Sequence, residues 1–271
     1  MRGCFLKKLI SPIKEPFIRN LSEIKIKISI VNYFNTLPFR YGLKNDAIIN
    51  KIELQEDIPS ICAQKLKFKQ VEIGLVPVAL LAELDNYKII TNYCIGANGK
   101  VDSVKLYSEV PLNEIKSITL DYQSKSSIKL TKVLSKFYWK KTFEFKDAKP
   151  GYEQNINGTN AAVVIGDRTF SLNGTFKHEI DLAEEWKIFT GLPFVFAAWV
   201  TISETDETFI NDFNKALENG IKNVEKAISE SKLDQPSNFN PLDYLTKKIS
   251  YNLDADKKKA LDLFLKYISQ L

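Results

Sequence analysis

Three hydroxyls crowd one short stretch of this chain. In "SITLDYQSKSSIKL" a strand-like run ends at Asp121, Ser124, Ser126 and Ser127 follow, and helical spacing begins at once. The first turn of a helix presents unpaired N–H groups and the positive end of the peptide dipole, so hydroxyls gathered there suit a carboxylate or a phosphate. A cap needs only one serine, and capping is the competing reading for each of them singly. A second polar cluster closes an apolar run in "VNYFNTLPFRYGL". There Asn32 and Asn35 can each donate to and accept from a ligand, and Arg40 can clamp a carboxylate with two parallel hydrogen bonds. An Asx turn accounts for either asparagine without a ligand. Gly166 and Asp167 end the run "NAAVVIGD", where Asp167 either meets a ligand or caps the next turn.

Much other chemistry is excluded or confined. His178 is the only histidine, so a Ser–His–Asp triad or a histidine-rich metal site would have to be built around it. Cys4, Cys62 and Cys94 lie far apart with no CxxC pair, which argues against a disulfide scaffold and a zinc site and for a reducing compartment. "GANGK" lacks the spacing and the hydroxyl residue of a phosphate-binding loop, and there is no GxGxxG. No metal and no organic cofactor is therefore expected. The net charge of +5 is dispersed, and clusters such as "KLKFKQ" read as solvated strand faces, so no nucleic-acid partner is expected.

"GLPFVFAAWV" is apolar but far shorter than the roughly 20 residues of a membrane-spanning helix, so no membrane partner is expected either. Residues 1–23 are basic, with apolar runs interrupted by lysines and prolines, and make a poor secretory signal. They are expected to form a flexible extension on a cytoplasmic protein. Asn157-Gly158 and Asn173-Gly174 then read as turns rather than as glycosylation sites.

The elements that must position these residues follow from periodicity. "IKIKISIV", "NKIELQED", "NYKIITNYCIG", "VDSVKLYSEV", "KSITLDY" and "KTFEFKD" read as strands, and "VEIGLVPVALL" as a buried strand turning helical at Pro77. "NAAVVIGD" suits the middle of a parallel sheet. Ile128 to Tyr138 carry helical spacing, as does a stripe from Phe209 to Ile228 opened by a Ser203–Asp206 capping box. A last helix is capped near Asp254. Alternating strands and helices define an α/β class with largely parallel sheets. Ligands of such sheets sit at the carboxyl ends of strands, and the similar ends of "EIGLVPVALL" and "AAVVIGDRTF" suggest two lobes facing a cleft.

In order from about Ile26 to the C-terminus, "VNYFNTLPFRYGL", "EIGLVPVALL", "VDSVKLYS", "LDYQSKSS", "VVIGD" and "TGLPFVFAAWV" together resemble the chorismate dehydratases of menaquinone biosynthesis by the futalosine pathway. The family's serine turn more usually reads Ser-Arg-Thr-Ser. Here Lys125 keeps the charge without the fork geometry. The resemblance implies a two-lobed, type 2 periplasmic-binding-protein-like fold with a ligand cleft and a hinge crossed twice. Lobe I would comprise 24–108 and 197–271, and lobe II 109–196. "TGLPFVFAAWV" would be the return crossing, with Phe194, Phe196 and Trp199 on the hinge side of the cleft or simply in the core. The implied partner is chorismate, which loses water to give 3-[(1-carboxyvinyl)oxy]benzoate. Asn35 would act in catalysis, and Ser103, Ser108, Ser124, Ser126, Ser127, Asn32, Arg40, Gly166 and Asp167 would bind substrate. Two alternatives share the fold: an enzyme like 1,4-dihydroxy-6-naphthoate synthase of the same pathway, and a solute-binding protein for a small carboxylate.

Overall fold

The computed structural model describes residues 25–231 and 239–271, and the expected extension over 1–23 lies outside them. The first sheet runs in the order β11-β4-β10-β3-β1-β2. Its strands are β1 (Ile26–Val31), β2 (Ile52–Asp57), β3 (Ile73–Pro77), β4 (Lys88–Ala97), β10 (Phe194–Thr201) and β11 (Ser250–Asn252). The second sheet runs β7-β6-β8-β5-β9, with β5 (Val104–Ser108), β6 (Ser117–Leu120), β7 (Glu144–Asp147), β8 (Asn160–Ile165) and β9 (His178–Asp181). The sheets are mixed rather than largely parallel. β1 is parallel to β2 and β3, and β6 to β7 and β8. Strands β10 and β5 run antiparallel to their neighbours.

That pairing moves the expected lobe boundaries. β5 pairs Val104 with Ile165 and Ser108 with His178, so it belongs to lobe II rather than to lobe I. The outward crossing lies between Ala97 and Val104, not after Ser108. The return crossing precedes Phe194, because the whole of β10 is inserted between β3 and β4 of lobe I. "GLPFVFAAWV" is apolar because β10 is interior on both faces: every residue but Phe196 is buried. Gly191 ends the preceding helix in the left-handed conformation (φ 74°) that glycine adopts without strain.

The helices are α1 (Leu37–Lys44), α2 (Pro59–Lys67), α3 (Lys125–Val133), α4 (Arg168–Leu172), α5 (Leu182–Thr190), α6 (Glu207–Lys222), α7 (Val224–Ser229), α8 (Pro241–Asp243) and α9 (Ala255–Ile268). α1 and α6 cross backbone to backbone: a Cβ on Gly42 would stand 2.0 Å from the Ala216 carbonyl oxygen, and one on Gly220 1.9 Å from that of Pro38. The stripe expected as one helix is broken at Asn223 between α6 and α7. Asp206 alone caps α6, accepting from the Phe209 N–H at 2.9 Å, while Ser203 turns back to Thr201. Asp254 caps α9 as the pattern indicated, and Gly158 and Gly174 both occupy turns at positive φ. Among the described residues no helix is long and apolar enough to cross a membrane.

Candidate functional site

A cleft lies between the lobes, lined from lobe I by Tyr33, Asn35, Thr36 and Pro77 and from lobe II by Ser124, Ser127, Ile165 and Gly166. Ser103 on the outward crossing, Val104 at the start of β5, and Phe196 and Ala197 of β10 complete its lining. None of the described residues lining it is charged. Electrostatic attraction for an anion must therefore come from oriented N–H and O–H groups.

Asn35 lies in the short turn between β1 and α1, where Pro38 sits in the first turn of the helix and Thr36 donates its hydroxyl to the Val31 and Tyr33 carbonyls. The Tyr251 hydroxyl holds the Asn35 carbonyl at 2.9 Å. With the backbone secured at both ends, the Asn35 Oδ1 is buried and has no hydrogen-bond partner. A buried amide oxygen left unpaired costs about 1–3 kcal/mol, so a ligand group that bonds to it recovers that cost on binding.

The serines sort by which hydrogen bonds they already make. Ser124 caps α3 and only accepts, from the Ser127 N–H and hydroxyl at 3.4 Å each. Ser103 accepts from the Tyr244 hydroxyl at 2.8 Å. An accepting hydroxyl keeps its own O–H to donate, so Ser103 and Ser124 each have a donor available at the cleft wall. Ser126 does not face the cleft. Its hydroxyl donates to the Phe196 carbonyl at 3.0 Å and accepts from the Ala79 N–H at 3.1 Å, tying α3 to β10 and to the turn after β3. Ser108 is also misplaced by the sequence reading: it sits at the end of β5 away from Ser103, accepting from Val110 N–H.

Three more expected ligand residues have other partners. Arg40 turns away from the cleft to Glu56 at 2.8 Å and the Asn32 amide oxygen at 2.5 Å, and both Asn32 and Arg40 border a separate surface cavity. Asp167 does not line the cleft and does not cap α4. Its two carboxylate oxygens accept the Phe34 N–H across the lobes, at 3.0 and 3.1 Å. Burial raises its pKa to about 6, against the lowering effects of that N–H and of Arg40. Gly166 remains on the wall at φ 69°, where a Cβ would stand 2.8 Å from the Tyr33 ring.

Tyr33, Gln123 and Tyr244 were not singled out from the sequence. The Tyr33 hydroxyl donates to the Gln123 side chain across the cleft mouth, and burial pushes its pKa up. Tyr244 arrives from a segment distant in sequence, and no local pattern marks it. Of the three aromatics expected at the hinge, only Phe196 lines the cleft. Phe194 packs on Trp186 and Phe264, and Trp199 on Phe39 and Phe213. Cys62 and Cys94 are buried thiols raised to about 12 by desolvation, which keeps them protonated at neutral pH.

Two α/β lobes, a hinge crossed twice, just before β5 and just before β10, and an interlobe cleft define the periplasmic-binding-protein fold. The chain shares it with the Candida albicans CA3427 gene product, described as having that generic fold (14% identity, TM-score 0.65, covering 91% of this chain and 90% of that one). It shares it also with the alkanesulfonate-binding protein SsuA from Xanthomonas axonopodis pv. citri bound to MOPS (14%, TM-score 0.60, 90% and 93%). Protein AF1704 from Archaeoglobus fulgidus superposes with a TM-score of 0.71 at 14% identity, over 91% of this chain and 97% of that one. Identities this low speak to the fold alone. The chain belongs to the menaquinone-biosynthesis family, whose model matches residues 26–270.

Proposed function

We propose that the protein is a chorismate dehydratase, a carbon–oxygen lyase that removes water from chorismate to give 3-[(1-carboxyvinyl)oxy]benzoate. The observation that carries the reading is the unpaired Asn35 Oδ1 at an uncharged cleft that also offers the hydroxyls of Ser103 and Ser124. Chorismate brings two carboxylates and one hydroxyl. The carboxylates match serine O–H donors and the N-terminus of α3, and the hydroxyl matches an amide that can accept from it or donate to it.

In the reaction the C–H bond at the ring carbon bearing the enolpyruvyl ether breaks. Its electrons form the third ring double bond, the neighbouring C–O bond breaks, and hydroxide departs to combine with the proton as water. The proton is vinylogous to the ring carboxylate, which favours a stepwise path through a carbanion. No aspartate, glutamate, histidine or lysine is found among the described residues lining the cleft. The substrate's own enolpyruvyl carboxylate therefore serves as the base, and the protein contributes orientation, worth several kcal/mol when reacting atoms are held in contact. Asn35 orients the departing hydroxyl while Ser103 and Ser124 hold a carboxylate, and Ser127, whose hydroxyl is spent on Ser124, fixes that serine.

Purified protein mixed with chorismate in chelator-treated buffer should bleach its ultraviolet absorbance and yield a product one water lighter by mass spectrometry. Binding without turnover over hours would instead favour a solute-binding role. Neither binding nor turnover of chorismate would favour an enzyme like the 1,4-dihydroxy-6-naphthoate synthase of the same pathway.

A further inference from the structure

The segment that carries Asn35 is gripped from the opposite lobe. Tyr33 lies against Gly166 and reaches Gln123 with its hydroxyl, and the next residue, Phe34, gives its N–H to both oxygens of Asp167. Tyr33, Phe34 and Asn35 are consecutive, so lobe II holds the two residues before the amide at the cleft. Asp167 is itself fixed at the end of β8. Gly166 N–H is bonded to the Ser103 carbonyl at 2.9 Å, and the neighbouring Arg168 pairs with the buried Asp121 and with Glu153. A bond between the lobes exists only while the lobes are together. An N–H freed at the start of a buried turn would otherwise have to be met by water.

We propose that Asp167 is a positioning residue that latches lobe II onto the Phe34 amide, so that closure of the cleft and placement of Asn35 are one event. The carboxylate touches no reacting atom and acts through the Phe34 backbone. The effect on turnover rests on the chorismate reading, whereas the effect on closure does not.

The test uses paired spin labels on two exposed lysine positions, Lys177→Cys in lobe II and Lys215→Cys in lobe I, in a Cys4→Ser background. Buried Cys62 and Cys94 do not compete for the label. The parent should give one narrow interlobe distance. Asp167→Ala should add a second, displaced population, and Asp167→Asn, whose amide oxygen can still accept the N–H, should restore the first. Chorismate KM should rise at least about tenfold in the alanine variant and stay within about threefold in the asparagine variant, with circular dichroism unchanged in both. A second measurement needs no substitution: the Phe34 amide of the unaltered protein should exchange with deuterium at least about tenfold more slowly than an unstructured peptide. An unchanged distance distribution in Asp167→Ala, or Phe34 exchange at the unstructured rate, would overturn the latch. Shifted distances with no turnover in any variant would leave the latch standing and remove the chorismate reading.

Discussion

The Tyr244 hydroxyl donates to Ser103 Oγ at 2.8 Å, joining the C-terminal segment of the chain to the outward hinge crossing. Both side chains are buried, and the Asn35 amide borders the same tyrosine hydroxyl. Because Ser103 is the acceptor, its own proton remains for the cleft. Tyr244→Phe should leave the fold intact, cost about 1 kcal/mol of stability, and weaken chorismate binding several-fold by releasing Ser103. Combined with Ser103→Ala, the two losses of affinity should add to less than their sum, which calorimetric titration of the four proteins would measure.

Asn35 offers a sharper contrast. Aspartate is nearly isosteric and equally at home in a turn, so a purely structural asparagine predicts a folded and active variant. An ionised carboxylate beside a dianion repels it and removes the amide donors. Asn35→Asp should therefore stay folded while kcat/KM falls at least about a hundredfold, a loss of roughly 2.7 kcal/mol in the transition state. Steady-state kinetics at neutral pH decides it.

Ser124 and Ser126 should separate binding from stability. Ser126→Ala leaves the buried Ala79 N–H and Phe196 carbonyl unpaired by that hydroxyl, so unfolding should become easier by about 1–3 kcal/mol with little direct effect on ligand contact. Ser124→Ala removes a cap whose bonds are long, at 3.4 Å. Its stability cost should be the smaller, about 1 kcal/mol, while chorismate affinity drops at least about tenfold. Chemical denaturation and ligand titration on the two variants give opposite rankings if the assignment holds.

Asp167 makes stability depend on pH in a definite direction. Its pKa is raised to about 6 in the fold, mainly by burial, with Arg40 the neighbouring cation, against about 3.9 in an unfolded chain. The folded state binds the proton more tightly, so this group's contribution is complete below about pH 4 and is lost as pH rises through about 6. Asp167→Asn, which does not titrate, should flatten that component by on the order of 1–2 kcal/mol between pH 4 and 7. Denaturant melts across the range, taken as the difference between parent and variant, would show the slope or its absence.

Local pattern carried much of the architecture. Alternating lysine and apolar residues in "IKIKISIV" make β1, the serines before Ile128 open α3, and Asp254 caps α9. These are properties of neighbours in sequence, where side-chain period and backbone capping act within a few residues. The family, too, was legible, because motifs in order along the chain record the same succession of strand ends. What the tertiary structure decided were the contacts that close over long loops. β5 chose lobe II because its partners β8 and β9 lie beyond it in the chain. Ser126, one residue from Ser127 in sequence, is turned about 100° around the helix axis from it and meets β10 instead of the cleft. Asp167 and Arg40 carry charges that suit a ligand, yet each found a protein partner: the Phe34 amide for one, Glu56 for the other. A polar side chain at a strand end is equally able to serve a ligand or its own fold, and only the packing of the lobes determines which group reaches it first.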